Sequence, residues 1–490
     1  MTTDAGTVTG FILPGPGETA FPGCLTWRDG RITALDPMEG CLTDPPGSPL
    51  IAPGLIDSHT HPVELGLEGI FPDLSPARTL AESLELLRSG LERGRQAGLL
   101  FGLNLDPDRL AEGRLPTRLE LDALEPDLPV IACRVDRHSA ALNSAALRRA
   151  AFDQEDDGIL AGPDYERAAR VFSRALSPET VAAALEHAAA LAARSGATTI
   201  GALDGTDEFG FEDWRTLARL LARLPVRAVP FLQTLNPGQA ARLGLTRVGG
   251  CILVDGSLGS HTAALREDYA DAPGERGQLY LEDDRLAQFL RVADKLNLQT
   301  ALHAIGDRAV RQALHCHEVA GTRPGLRHRL EHAIVLDPGL IAAIAARGII
   351  LGVQPAFETA WGGPNRLYAR RLGPRHSRTN PFRSLLAAGV RLAGGSDAPI
   401  TPIAPLAGIR AAIEHPNPDE RVRPDEALAM FTTDAAYSLG LECETGRLAP
   451  GLAADFVLLN SDPRWNPACR VLETWHRGRR VFSERTTPPV

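Results

Sequence analysis

The sequence predicts an α/β protein: a distorted (β/α)8 TIM barrel with a split small β-sandwich and an inserted subdomain after the first barrel strand. Three observations point there. Short β-branched runs alternate with helical patterns through the middle of the chain, the signature of parallel β/α units. One interval between those runs is too long to be a loop. Both chain ends are rich in Gly, Pro and short alternating segments, the style of β-hairpins.

Taken in order, the candidate strands are Gly54 to His59, Thr198 to Leu203, Val226 to Leu232, Cys251 to Asp255, Leu298 to His303, Arg327 to His332, Ile349 to Val353 and Val390 to Ser396. Eight is the number that closes a barrel. Helical patterns lie between them. The one beginning at Pro178 has Ser177 as its cap and a proline in its first turn, and Gly196 stands where a helix ends. The interval from Pro62 to Ser177 breaks the rhythm and carries strand and helix patterns of its own, so it reads as a substrate-side insertion at about 64–177. Residues 1–53 and 440–490 are each too short to bury a core alone and are expected to pair as one small β-sandwich beside a barrel spanning 54–439.

Composition bounds the function. At 490 residues the chain has room for two or three domains, or one large barrel with additions. Hydrophobic residues at 44% and charged residues at 23% describe a globular chain, not a disordered one. A net charge of -10 without long basic runs excludes nucleic acid as an expected partner. Met1 to Gly6 lacks the basic start and apolar core of a signal peptide, and no run approaches a membrane span. The seven cysteines at 24, 41, 133, 251, 316, 443 and 469 are scattered and form no Cys-x-x-Cys pair. A reduced, cytoplasmic protein acting on a small molecule is expected; self-association is compatible with such barrels but has no sequence signal.

The most informative stretch is Gly54-Leu55-Ile56-Asp57-Ser58-His59-Thr60-His61. Two histidines spaced by two on a strand aim at one side, and at the C-terminal mouth of a barrel they form half of a divalent metal site. Later apolar runs end in His303, in His332 and in Gly394-Gly395-Ser396-Asp397, each placing a potential ligand where a strand should stop. For each alone, a satisfied core histidine or a capping aspartate is the plain alternative. Gly394-Gly395 has no following Gly-Lys-Ser and is no phosphate loop, and the alanine-rich segment from Val181 to Arg194 reads as a packing helix.

With these motifs the chain resembles the amidohydrolase superfamily, and within it the YtcJ-like metal-dependent hydrolases (amidohydrolase family 3) that include N-substituted formamide deformylases. The resemblance rests on Ala52 to His61, Asp255-Gly256-Ser257-Leu258-Gly259-Ser260, His303 to Val310, Glu331-His332-Ala333, Gly395 to Pro399, and the tail Gly446 to Asp455. It implies that His59 and His61 hold one metal ion and His303 and His332 a second, with zinc first among candidates and one or two ions per chain. The implied activity is hydrolysis of a non-peptide C–N bond, an amide or N-acyl group, by metal-bound hydroxide, with Asp397 as metal ligand and proton shuttle. A carboxylic ester or lactone would need the same parts. Deamination is less expected, because no His-x-x-Glu pattern follows His303. A noncatalytic scaffold would be expected to have lost the ligands, and here they are present.

Two positions depart from the family pattern. Where many relatives have a bridging lysine this chain has Cys251, either a thiolate ligand or a small buried strand residue. Where relatives commonly carry arginine after Gly-Ser, it has His261, a substrate-pocket candidate. In the insertion, Asp136-Arg137-His138 is similar to the family's Asp-Gly-His motif; His138 either polarises a substrate carbonyl or bonds loop backbone. Asp255 is split between a pocket role and fixing the turn of Gly256 and Gly259. Glu331 is expected to alternate away from His332 and to be structural.

Overall fold

A computed structural model describes residues 5–38, 49–152, 157–204 and 214–484; Met1 to Asp4 and Cys41 lie outside them. Four strands open the chain: β1 (Ala5–Ile12), β2 (Phe21–Arg28), β3 (Arg31–Pro37) and β4 (Leu50–Pro53). The first three form an antiparallel meander. Its second turn is Asp29-Gly30, with φ of 52° and 75°, the left-handed pair that a two-residue hairpin requires. β4 lies parallel to β1 and passes through Gly54 into β5 (Leu55–Thr60). A Cβ on Gly54 would stand 2.4 Å from Thr198 Oγ1, so the close approach demands glycine.

The long interval after β5 builds a sheet of its own from β6 (Leu100–Leu105), β7 (Val130–Arg134), β8 (Ser139–Leu142) and β9 (Ile159–Ala161), in that order. Leu74, Leu87, Leu103, Ile131, Leu142 and Phe172 are buried in a cluster around it. Helix Arg118–Leu124 enters through a capping box in which Thr117 and Glu120 satisfy each other's backbone N–H groups.

The central strands follow: β10 (Ala197–Ala202), β11 (Arg227–Pro230), β12 (Arg247–Leu253), β13 (Gln299–Ala304), β14 (Arg329–His332), β15 (Ile350–Val353) and β16 (Leu392–Gly394). With β5 they form two parallel sheets, ordered β11-β10-β5 and β12-β13-β14-β15-β16. The two sheets meet at both edges, where single parallel bridges join Thr60 to Ala398 and Leu232 to Val248. All eight predicted strands are present. The largest displacement is in β12, which starts at Arg247 where the sequence pattern places its start at Cys251. Helices separate the strands and bury one face each. In helix Pro178–Arg194, Ser177 Oγ accepts from Thr180 N–H and Gly196 takes φ 87° just past the end, as predicted. Among the described residues, no helix is long and apolar enough to cross a membrane.

β17 (Phe456–Leu459), β18 (Val471–His476) and β19 (Arg479–Ser483) return to the amino-terminal strands, giving one seven-stranded sheet ordered β19-β18-β17-β4-β1-β2-β3. Ile12, Leu25, Trp27, Ile51 and Phe456 are buried together, and Trp475 stacks on Phe456 with ring centroids 5.4 Å apart. Asp455 fastens this sheet to the parallel strands. Its carbonyl accepts from Gly54 N–H at 2.9 Å, its Oδ2 takes Arg227 Nη1 of β11 at 2.9 Å, and its Oδ1 accepts from Arg477 N–H at 2.8 Å.

Burial works to raise Asp455, but His476 and Arg227 outweigh it and hold the carboxyl down to about 2. A carboxyl depressed in the fold contributes stability that is fully present above its unfolded value and is lost as pH falls through its folded value. Removing one partner of a buried pair costs about 3–5 kcal/mol. Asp455→Ala is therefore expected to lose that much at neutral pH in urea unfolding. The deficit relative to the parent should shrink between pH about 4 and 2; a deficit unchanged with pH would show that the carboxylate is not its source.

Candidate metal centre

His59 sits near the end of β5 and His61 just beyond it, and both imidazoles have one nitrogen committed elsewhere. His59 Nδ1 donates to Glu331 Oε2 at 2.7 Å, and His61 Nδ1 to the carbonyl of Leu203 at 2.9 Å. The pattern repeats on β13 and β14: His303 Nε2 donates to the carbonyl of Gly256 at 3.1 Å, and His332 Nδ1 to Gln354 Oε1 at 2.8 Å. A carboxylate or carbonyl oxygen can only accept, so these contacts select the tautomer and leave the other ring nitrogen as the donor atom.

The four remaining nitrogens converge. His59 Nε2 and His61 Nε2 lie 3.0 and 3.2 Å from Asp397 Oδ1. Cys251 Sγ lies 3.8 Å from both His303 Nδ1 and His332 Nε2. His59, His61 and Asp397 form one group, and His59, Cys251 and His332 another, with ligand atoms in each within 4.8 Å of one another. His59 Nε2 is buried yet makes no hydrogen bond among the described residues, despite its short distance to Asp397. Imidazole nitrogens, a thiol sulfur and a carboxylate oxygen converging at these distances, with the buried His59 Nε2 left without a hydrogen bond, fit a divalent metal.

Backbone conformation brings the donors together. β12 carries φ of 103°, 33° and 66° at Gly249, Gly250 and Cys251, and its pairing with β13 shifts register across them. A Cβ on Gly249 would lie 2.5 Å from the carbonyl of Ala301, so only glycine lets the bulge form. The bulge turns Cys251 toward His303 and His332. His332 at φ 71° and Asp397 at φ 57° are also left-handed, a conformation costing about 1–3 kcal/mol per non-glycine residue. Asp57 Oδ1 ties the first and last parallel strands, accepting from His59 N–H at 3.3 Å and Ser396 N–H at 2.9 Å.

The expectation that Glu331 turns away from His332 holds for a regular strand and fails here. The left-handed turn at His332 cancels one alternation, so both residues meet His59: Glu331 by hydrogen bond and His332 with ring centroids 5.0 Å apart. Glu331 and Gln354 are the supporting residues the sequence pattern does not reveal. Adjacency to His332 was a signal, but the turn that gives it meaning is not encoded in periodicity.

Electrostatics follow from burial. It pushes Cys251 up to about 11, lowers His332 to about 4, and lowers His303 well below the usual histidine range. Burial would also lower His59 and His61, but Asp397 raises His59 well above its usual value and His61 to about 9. Asp397 in turn, although buried, is held well below the carboxylate range by the histidines. A cation at these atoms competes with protons for the same lone pairs.

A narrow cavity of about 40 Å³ opens beside the donors, lined by His138, His303, His332 and Asp397 and by apolar side chains including Leu258, Phe357 and Trp361. His138 stands with its ring 5.1 Å from His303, and its Nδ1 is buried without a hydrogen-bond partner among the described residues. Asp255 is turned to the backbone, accepting from Ala264, Ile305 and Gly306 N–H at 2.8–2.9 Å. His261 pairs with Asp271 at 3.1 Å and is not among the cavity's lining residues. Asp136, held by Arg134 at 2.5 Å and by Ser257 Oγ at 2.5 Å, joins the insertion to the loop after β12.

The model of an amidohydrolase family matches residues 49–482. The putative amidohydrolase YtcJ of Bacillus subtilis is 29% identical, covering 84% of each chain. The N-substituted formamide deformylase of Arthrobacter pascens is 25% identical, again over 84% of each. Among solved structures, an uncharacterised metal-dependent hydrolase from Pyrococcus furiosus superposes with a TM-score of 0.74 at 26% identity, covering 94% of this chain and 99% of its own.

Chelator-treated protein titrated with zinc is expected to take up the ion with release of protons, read with a pH dye in weak buffer. Its unfolding free energy should rise by about 4 kcal/mol at a thousandfold excess over Kd. Cys251→Ala is expected to lower uptake; equal uptake by variant and parent would make the cysteine a packing residue.

Proposed function

This chain belongs to the amidohydrolase family, and from that premise we propose that it hydrolyses a non-peptide C–N bond, an amide or N-acyl group, in a small molecule. The observation that carries the proposal is the convergence of Asp397, His138, His303 and His332 on one cavity, with His59 and His61 against Asp397 and Cys251 against His303 and His332. We read the eight parallel strands, bridged at both edges, as the expected distorted barrel, with the donors at its C-terminal mouth. On this reading the seven-stranded sheet belongs to a unit of 1–53 with 440–490, and the sheet of β6 to β9 to an insertion at about 64–177. The scattered cysteines of the sequence, with no Cys-x-x-Cys pair, support a reducing, cytoplasmic setting.

His59, His61, Cys251, His303, His332 and Asp397 would hold one or two divalent ions. Such an ion lowers the pKa of bound water towards about 7 and polarises a carbonyl oxygen. Asp397 is the residue to move the proton: its Oδ1 stands between two imidazoles, and Oδ2 takes a proton from the attacking water and returns it to the leaving nitrogen. His138 presents its unpartnered side to the substrate carbonyl and stabilises charge that builds on the oxygen.

The rest of the cavity favours a neutral, apolar substituent. Phe357 stacks parallel to His332 at 6.2 Å and Trp361 packs edge-on to Phe357 at 4.9 Å, so the wall beside the donors is aromatic. Arg134, the cation among the lining residues, is taken by Asp136 and Asp108 at 2.5 and 2.9 Å. Among the described lining residues this leaves no free guanidinium for a substrate carboxylate.

Zinc-loaded protein is expected to release amine from N-formyl and N-acetyl derivatives of neutral amines faster than from N-acyl amino acids. Asp397→Asn should lower kcat by about 10²–10⁴-fold. Turnover confined to matched esters or lactones would overturn the C–N assignment, and no turnover of any of them would remove the hydrolase reading.

A further inference from the structure

Beneath the metal centre lies an ion pair that the proposed chemistry does not use. Arg329 on β14 is the largest fully buried side chain among the described residues. Its Nε donates to Glu331 Oε1 at 2.7 Å and its Nη2 to Glu331 Oε2 at 2.8 Å, a two-pronged contact. The same Nη2 reaches the carbonyl of Ser58 at 3.2 Å, on the strand that carries His59. Glu331 Oε2 is the oxygen that accepts from His59 Nδ1 at 2.7 Å. Both Arg329 and Glu331 are 0% exposed. A buried ion pair of this kind gains little over an apolar pair of similar volume, so stability alone does not account for it.

We propose that Glu331, clamped by Arg329, is the positioning residue of the metal centre: it holds the proton of His59 on Nδ1 and keeps Nε2 as the donor atom. His59 is the residue common to both donor groups, so its tautomer and ring angle bear on both. Arg329 makes Glu331 an acceptor only, anchors it in one rotamer, and links it through Ser58 to the strand it serves. Outer carboxylates of this type are worth about 10- to 100-fold in metal affinity.

The inference rests on the reading of His59 as a metal ligand, and the test separates the two. Zinc Kd is measured on chelator-treated protein by competition with a fluorescent chelator, beside the visible spectrum of the cobalt form and the melting temperature without added metal. Absence of binding by the parent protein would remove the metal reading itself. If the parent binds, Glu331→Gln is expected to weaken zinc by about 10- to 100-fold and to alter the cobalt bands. Because this variant leaves Arg329 buried without its charge partner, Arg329→Met/Glu331→Gln is measured beside it. It should fold and show the same weakened affinity. Zinc affinity within twofold of the parent in either folded variant, with only the melting temperature lowered, would make the pair purely structural and overturn the proposal. Should neither fold, the ¹⁵N shifts of histidine-labelled, zinc-loaded parent protein decide: His59 must carry its proton on Nδ1, and a ring protonated on Nε2 alone would overturn it.

Discussion

The molecule depends on a constraint imposed at its centre: several imidazoles, a thiol and a carboxylate must face one another in one buried cluster. Buried polar groups are ordinarily satisfied by neighbours, and here each histidine has one ring nitrogen held by an oxygen acceptor while the other faces the remaining donors. Glu331, the carbonyl of Leu203, the carbonyl of Gly256 and Gln354 each take one ring N–H. These acceptors come from four different strand ends or loops. The parallel strands must therefore be in register before any single histidine presents the correct nitrogen.

Holding that register costs conformational energy. Cys251, His332 and Asp397 all adopt left-handed backbone, and non-glycine residues persist in that region only where surrounding structure overdetermines them. The surroundings do so here. Asp397 N–H donates to the carbonyl of His59 and His61 N–H to that of Ala398, both at 2.8 Å, while Asp57 bridges the same two strands from its side chain. At Cys251 the cost is shared with two glycines, because the bulge needs backbone approach that a Cβ would block. Strain, close packing and ligand direction are thus one feature of the fold.

Much of this was legible in the sequence. The eight strands, the helix caps at Ser177 and Gly196, and the pairing of the two chain ends follow from periodicity, turn chemistry and the shortness of each end. His59, His61, His303, His332 and Asp397 stand at or just past predicted strand ends, and they meet. Other residues resisted for stated reasons. Cys251 is in the right strand but reaches the centre by a bulge that pattern reading does not show. Glu331 and His332 both meet His59 because the left-handed turn at His332 breaks the alternation of a regular strand. His261 and Asp255 lie within a motif, but one turns to Asp271 and the other to backbone N–H groups.

By itself the sequence determined which residue types stand at strand ends, because hydrophobic alternation and glycine or proline punctuation are local properties of the chain. It also determined that the ends must find each other, since neither can bury a core alone. Only tertiary structure decided which nitrogen of each histidine faces the other donors, that Arg329 and Glu331 stand beneath His59, and that His138 from the insertion meets His303. Those outcomes depend on acceptors supplied by residues tens to hundreds of positions away, as Glu331 is from His59. A hydrogen-bond partner is chosen by distance and direction in space, and neither is written in spacing along the chain.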